Sequence, residues 1–205
     1  YLPLAHGATV VLIGPEAGRE PVGLAALIAE RRLTVWYSAP TALAMLAEFG
    51  HLERHRFTLR LVLFAGEVFP VKHLRALADQ LPAPRYFNLY GPTETNVCTC
   101  YEVAAPVPPE RTAPYPIGKV CPHLRGRIVD PDAHDVPDGT EGELVISGPN
   151  VMQGYWNMPD ATARAFLVDA AGTHWYRTGD VVIREAASAD LVFLGRRARM
   201  VKRRG

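Results

Sequence analysis

Residues 85–96 read RYFNLYGPTETN. The apolar and aromatic run at 86–89 predicts a short buried strand, which a Gly-Pro pair then ends. Around that pair lie the ring of Tyr90, the hydroxyl of Thr93 and the carboxylate of Glu94. An aromatic ring can stack on a base, a hydroxyl and closely approaching glycine backbone can bind phosphate, and a carboxylate can hold Mg²⁺. On residue types alone, the stretch indicates either a nucleotide site or an ordinary strand-ending turn with a charged tip.

Short strands alternate with helices on the N-terminal side of this stretch. The predicted strands are residues 8–13, 34–37, 59–65 and 85–89, and the predicted helices are residues 21–32, 38–49 and 71–80. Alternation at this spacing predicts a parallel sheet with helices on its faces. Ligands bind beyond the carboxyl ends of the strands in such sheets, so we expect three turns to cluster at one edge. These turns are residues 37–40, 65–68 and 90–94.

The composition and the predicted secondary structure change after residue 101. Residues 104–122 contain six prolines and are typical of an irregular connection. Short predicted strands then follow, separated by Gly, Pro and Asp turns, with one short helix near residues 159–166. These strands are residues 124–129, 143–146, 175–176, 181–184 and 191–194. The expected fold class is therefore α/β: a parallel sheet flanked by helices, followed by a mostly β, barrel-like subdomain. The abrupt ends favour a fragment of a larger fold.

The composition limits the classes of protein to consider. The chain has 205 residues, of which 48% are hydrophobic, and this suits a real core. No run approaches the ~18 apolar residues of a membrane span, so no membrane association is expected. An odd number of cysteines (Cys98, Cys100 and Cys121) argues against a disulfide framework and fits a reducing cytoplasm. The Cys-x-Cys pair has no second pair to complete a zinc site.

Positive charge is concentrated at the C-terminal end. The net charge is +1, yet residues 196–205 carry six basic side chains and no acidic ones. A basic tail can bind nucleic acid by releasing counterions from phosphates. This cluster lacks interleaved aromatic residues, and the rest of the chain is acidic, so we expect no nucleic-acid partner.

Four motifs of the chain resemble those of one known family. Residues 88–94, NLYGPTE, resemble the N-x-Y-G-P-T-E core motif of adenylation domains, which belong to the adenylate-forming superfamily of nonribosomal peptide synthetases and acyl-CoA ligases. Residues 176–180, YRTGD, and the segment 193–205 resemble two further motifs in the family's order. Residues 141–156 resemble its G-E-L-x-I-x-G…G-Y motif, which we interpret as structural.

The resemblance implies an ATP site. Tyr90 would stack on adenine, Thr93 would bond phosphate or the substrate carboxylate, and Glu94 would hold Mg²⁺, which makes Thr93 and Glu94 the candidate catalytic residues. Asp180 follows a glycine turn, so it is well placed to accept two hydrogen bonds from a ribose diol. The residues implied to bind the nucleotide are Gly66, Glu67, Val68, Asn88, Tyr90, Gly91, Thr93, Asp180, Phe193 and Arg196.

The implied reaction joins a carboxylate to ATP and releases pyrophosphate. The acyl-adenylate then passes its acyl group to the phosphopantetheine thiol of a peptidyl carrier protein. The same alignment places six residues around the substrate: Tyr37, Leu63, Ala65, Leu89, Val97 and Cys98. An apolar set with bulky members suits a small uncharged side chain, and it resembles that of free-standing L-prolyl carrier-protein ligases. These residues also fit an ordinary core.

Two alternative functions stay open at this point. The aspartate that pairs with an amino acid's amine would lie upstream, so an aryl or fatty acid substrate also fits, although Pro92 favours amino acids. A non-catalytic nucleotide-binding module is the second alternative, because Ala198 stands where the family has Asp or Lys at its hinge. The resemblance divides the chain into residues 1–103 (α/β), 104–195 (mostly β) and 196–205 (a hinge stub towards a C-terminal lid).

We predict that the 205-residue chain by itself catalyses little or no pyrophosphate exchange. The family's phosphate loop belongs upstream of Tyr1 and its catalytic lysine belongs beyond Gly205. Exchange of radiolabelled pyrophosphate into ATP, assayed with the isolated chain and L-proline, measures this. Exchange at an ordinary enzymatic rate would contradict the prediction.

Overall fold

The first layer of the protein is a five-stranded sheet with helices packed against it. The computed structural model describes residues 2–14 and 16–197. The sheet has the order β1-β2-β3-β4-β5. Its strands are β1 (Val35–Ser38), β2 (Leu61–Phe64), β3 (Arg85–Tyr90), β4 (Thr99–Val103) and β5 (Lys119–Val120). The first three are parallel, as the alternation with helices predicts, whereas β4 and β5 run antiparallel.

The longer helices of this layer begin at recognisable signals. Each carries Pro or follows Pro at its start, and the Glu20 carboxylate accepts hydrogen bonds from the first N–H groups of α2. The helices of the layer are α1 (Leu2–Ala5), α2 (Pro21–Glu30), α3 (Pro40–Phe49) and α4 (Val71–Gln80). In α4 the buried residues Val71, Leu74 and Leu77 recur at helical spacing and face the sheet core, where Tyr86 is also buried.

The second layer is mostly β, as predicted. Its sheet follows the path β10-β9-β7-β6, and β8 pairs with β9. Its strands are β6 (Arg125–Val129), β7 (Gly142–Ser147), β8 (Phe166–Val168), β9 (His174–Arg184) and β10 (Leu191–Arg196), and its helix is α5 (Pro159–Ala165). The two sheets adjoin at residues 117–118, where the Ile117 N–H donates to the Leu191 carbonyl at 2.8 Å. The α/β fold class with a mostly β second unit is confirmed.

The strand predicted at residues 8–13 is wrong. These residues have no strand conformation, and Leu12 is 91% exposed. An apolar run becomes a buried strand only when neighbouring strands pair with it. Among the residues that the structure describes, the sheet ends at β1 and none pairs with 8–13.

The separate strands predicted at 175–176 and 181–184 are also wrong, because both belong to one continuous strand, β9. Gly179 lies inside it with a φ of +69°. In the sequence, a glycine at this place predicts a turn. The ladder between β7 and β9 shifts register near this point, so the strand passes through an irregularity rather than ending.

None of the helices within residues 2–14 and 16–197 has both the length and the apolar character needed to cross a membrane.

We predict that Leu74→Ala lowers the free energy of unfolding by about 2–5 kcal/mol, because it leaves a cavity in the core. Leu74 is 1% exposed, whereas Leu12 lies almost fully in solvent. The matched substitution Leu12→Ala should therefore change stability by less than about 0.5 kcal/mol. Urea unfolding of the two variants measures both effects. Equal losses would show that Leu12 is buried in a strand after all.

Candidate active site

The carboxyl ends of the parallel strands meet at one edge, as expected. The N–H and the hydroxyl of Thr41, at the start of α3, donate to the Glu67 carboxylate at 3.3 and 2.5 Å. This contact joins the turn after β1 to the turn after β2. The turns after β2 and β3 in turn line one cleft. The predicted clustering of the three turns is confirmed.

The cleft has a volume of about 340 Å³, within the range of small-molecule sites. Both layers contribute to it, because the middle of β9 and residues of β10 line it together with the ends of β2 and β3. The predicted site residues that line it are Gly66, Glu67, Val68, Asn88, Leu89, Tyr90, Gly91, Asp180, Phe193 and Arg196. Thr93 and Glu94 lie just beyond Pro92, the last lining residue of that turn. The Cα of Glu94 is therefore at most about 7 Å from that of Pro92.

Asp180 is the polar centre of the cleft. The Tyr90 hydroxyl donates to Asp180 Oδ2 at 2.5 Å, and Arg196 Nε donates to Oδ1 at 3.1 Å. Asp180 is only 3% exposed. Burial raises the pKa of Tyr90, and the Asp180 carboxylate raises it further, so the phenol remains a proton donor. A carboxylate has about four lone-pair sites that can accept hydrogen bonds, and these two contacts leave about two of them for the hydroxyls of a diol.

Two glycines of the cleft are required by its geometry. Gly66 has a φ of +93°, a conformation that side chains other than glycine rarely adopt. A Cβ at Gly91 would lie 1.7 Å from the carbonyl oxygen of Asn96. The amide of Asn88 donates to the Pro116 carbonyl at 2.8 Å, which ties β3 to the segment before β5. These three residues therefore shape the cleft wall through backbone approach and a structural hydrogen bond.

An ion cluster around the buried Glu143 holds the irregularity of β9 at Gly179, next to Asp180. The Glu143 carboxylate accepts hydrogen bonds from Arg177 Nη2 at 2.5 Å, from the Gly179 N–H at 3.2 Å and from Arg197 Nη1 at 3.1 Å. Burial raises the pKa of Glu143, but the hydrogen bonds and charge of the two arginines and the Gly179 N–H outweigh it, so the pKa is lowered overall. Sequence reasoning treated this glutamate only as part of a structural motif.

The predicted substrate residues fall into two groups. Tyr37 and Leu63 are paired across β1 and β2 on one sheet face, and alternation along β3 brings Leu89 to that face and into the cleft. Tyr37 is 58% exposed there. Ala65 is half-buried beside this face at the end of β2, directly before the glycine turn.

The other group lies beyond the turn. Val97 is half-buried, and its N–H donates to the Asn96 side chain at 2.7 Å. Cys98 is fully buried in a core cluster that also contains Ile117, Leu144 and Leu191, and burial raises the pKa of its thiol to about 11. The structure therefore does not bring Cys98 to the same surface as Tyr37. The assignment of all six residues to a substrate pocket stays a prediction, and Ala198 lies outside the described residues.

Tyr115 lines the cleft, although the sequence placed it in an irregular, proline-rich connection. Its ring lies 3.8 Å from the Arg111 guanidinium and 5.8 Å from the ring of Tyr101. In the sequence, the aromatic character of Tyr115 within a proline-rich segment is the one feature that could have marked it as a cleft residue. Its position depends on contacts with β4, which the sequence pattern did not reveal.

Residues 1–156 match the family model of AMP-binding enzymes. The chain belongs to the AMP-binding enzyme family. This confirms the resemblance on which the motif assignments rest.

Relatives of the chain include two proteins named L-proline--[L-prolyl-carrier protein] ligase. The one from Pseudomonas fluorescens is 42% identical over 206 residues, and the one from Streptomyces coelicolor is 42% identical over 212 residues. Both alignments cover all of this chain but only 39% and 38% of those relatives. The chain thus spans about two fifths of the length of the curated relatives it matches.

Solved structures with the same fold include CmiS6 and the nonribosomal peptide synthetase FmoA3. CmiS6 superposes with a TM-score of 0.86 at 32% identity, covering 95% of this chain and 48% of CmiS6. FmoA3 superposes with a TM-score of 0.84 at 32% identity, covering 95% of this chain and 21% of FmoA3. The fold of an AMP-binding enzyme therefore extends over nearly the whole chain.

We predict that Glu143→Gln lowers the free energy of unfolding at pH 7 by about 2–3 kcal/mol, because two arginines lose their buried partner while keeping some solvent exposure. The lowered pKa of Glu143 means that its stabilisation is complete above pH 4.5, the ordinary value. It is lost as the pH falls from there through the folded-state pKa. Urea unfolding of both proteins between pH 7 and pH 3 should show the difference narrowing below pH 4.5. A difference that stays constant with pH would contradict this.

Proposed function

We propose that this chain is the nucleotide-binding part of an adenylate-forming ligase that activates a small amino acid, with L-proline as the best candidate. The observation that carries the proposal is the cleft itself, where an aromatic ring, glycine backbone and a buried carboxylate converge from separate strands. Membership of the AMP-binding enzyme family supports the nucleotide as its occupant. The identity to two L-proline ligases supports the substrate.

Each nucleotide-binding residue has a role that its position allows. The Tyr90 ring provides a stacking surface for adenine, and the backbone of residues 66–68 faces it from the neighbouring strand end. Asp180 accepts hydrogen bonds from the ribose hydroxyls, with Arg196 balancing its charge. Phe193 closes the apolar side, since its ring centroid lies 6.2 Å from that of Tyr90.

The residues proposed to contact the phosphates and the metal ion follow Pro92. The exposed Thr93 hydroxyl bonds a phosphate or the substrate carboxylate. The half-buried Glu94 carboxylate offers hard oxygen ligands that fit Mg²⁺. When bound, Mg²⁺ neutralises phosphate charge during nucleotidyl transfer. The protein's part is mainly to position groups and balance charge.

In the proposed reaction the substrate carboxylate oxygen bonds to the α-phosphorus while the bond from that phosphorus to pyrophosphate breaks. The carrier-protein thiol then loses its proton to solvent, and its sulfur bonds to the acyl carbon while the bond from that carbon to the phosphate oxygen breaks and AMP leaves. Tyr37 and Leu89 reduce the space available on the sheet face, which favours a small uncharged side chain. The thiols of Cys98, Cys100 and Cys121 are all free, in keeping with a reducing cytoplasm. The proposed domain organisation is an α/β unit at residues 1–103, a mostly β unit at residues 104–195 and a hinge segment at residues 196–205.

We predict that the protein carrying this chain exchanges pyrophosphate into ATP in the presence of L-proline, and that Asp180→Asn raises the KM for ATP by about tenfold or more because a charged acceptor for the ribose diol is lost. Asp79→Asn, on the exposed face of α4, is the matched control and should leave KM unchanged.

Three outcomes would overturn parts of the proposal. Exchange that depends on aryl or fatty acids but not on amino acids would identify an acyl-activating ligase. ATP binding without exchange for any carboxylic acid would identify a non-catalytic nucleotide-binding module. An unchanged KM in Asp180→Asn would remove Asp180 from the ribose site.

A further inference from the structure

The G-Y end of the 141–156 motif reaches the proposed metal ligand. The Tyr155 hydroxyl donates to Glu94 Oε1 at 2.7 Å across 61 residues of sequence. The Met152 N–H also donates to the Glu94 main-chain carbonyl at 2.7 Å. One loop, residues 148–158, therefore holds Glu94 by both its backbone and its side chain.

The loop is itself fixed at Tyr155. The Tyr155 N–H donates to Thr162 Oγ1 at 2.9 Å, and the Thr162 hydroxyl donates to the Met158 carbonyl at 3.0 Å. Gly154 has a φ of +155°, and a Cβ there would lie 2.8 Å from Thr162 Cγ2. The close approach to α5 thus requires glycine at this position, and it sets the direction in which the tyrosine leaves the backbone.

We infer that Tyr155 is a positioning residue that orients the Glu94 carboxylate for a divalent cation. This inference rests on the proposed role of Glu94 as the metal ligand. A carboxylate offers about four lone-pair sites, and the Tyr155 hydroxyl uses one of them on Oε1. A fixed hydrogen bond of this kind holds the remaining oxygen lone pairs in a constant direction. Outer hydrogen bonds to ligating carboxylates commonly contribute 10–100-fold to metal affinity or activity.

The chemistry of the donor suits this role. A phenol hydroxyl is a neutral hydrogen-bond donor. It therefore orients the Glu94 carboxylate without cancelling the charge that a cation needs.

The test measures Mn²⁺ binding by electron paramagnetic resonance in the protein that carries this chain, with saturating α,β-methylene-ATP. Tyr155→Phe removes one hydroxyl and should weaken Mn²⁺ binding about tenfold. Thr162→Val, which frees the loop but leaves Tyr155 in place, should shift it in the same direction. The matched control is Tyr101→Phe, because Tyr101 packs on Tyr115 in the first layer. It should bind Mn²⁺ as the unaltered protein does.

Two further readouts separate positioning from a general structural role. The thermal midpoint of Tyr155→Phe should stay within a few degrees of the unaltered protein's. Its pyrophosphate exchange should need about tenfold more Mg²⁺ for half-maximal rate and should recover when Mg²⁺ is saturating. A lower rate that Mg²⁺ does not restore, or unaltered Mn²⁺ affinity, would overturn the inference.

The variant Glu94→Gln separates the metal-binding role of Glu94 from the positioning role of Tyr155. If Glu94→Gln weakens Mn²⁺ binding while Tyr155→Phe does not, the metal role of Glu94 stands and the positioning role of Tyr155 fails. If Glu94→Gln itself binds Mn²⁺ normally, the metal role fails and the inference fails with it. Weakening by both variants, with Tyr101→Phe normal, supports both.

Discussion

The hydrogen bond from the Tyr90 hydroxyl to the Asp180 carboxylate joins the two sheets through residues that are 90 positions apart in sequence. Tyr90 is the last residue of β3, and Asp180 lies in the middle of β9, so the contact fixes the distance between the two layers at the cleft. Both groups are largely withdrawn from water, where an unpaired carboxylate would be costly. Arg196 completes the pairing from β10. These side-chain contacts therefore hold the two layers together at the cleft, in addition to the backbone hydrogen bonds between residues 117–118 and Leu191.

The elements that the sequence predicts well are those specified by local signals. The pattern of α4 predicts residues 71–80, and the structure has Val71–Gln80, because proline, helical spacing of Leu74 and Leu77, and the following loop all lie within one short window. The lack of a strand at residues 8–13 and the continuity of β9 through Gly179 could not be predicted in the same way. Whether an apolar run is buried, or a glycine interrupts a strand, depends on partners that are distant in sequence.

The same distinction applies to the candidate site. Gly66 and Tyr90 lie at or just after strand ends, where the topology predicts a ligand site. Asp180 lies inside β9, where only the family resemblance marked it in the sequence. Tyr115 gave no comparable local signal, and Tyr155 belongs to a motif that was interpreted from the sequence as structural. Their places follow from Arg111 in one case and from Thr162 and Glu94 in the other, and each of these contacts forms only after the chain has folded.

A crystal structure of the protein bound to AMP tests the convergence of these loops most directly. The account predicts the adenine between the backbone of residues 66–68 and the Tyr90 ring, and a ribose hydroxyl within hydrogen-bonding distance of the Asp180 carboxylate. AMP bound elsewhere, with the Tyr90 and Asp180 side chains making no contact with it, would contradict the account.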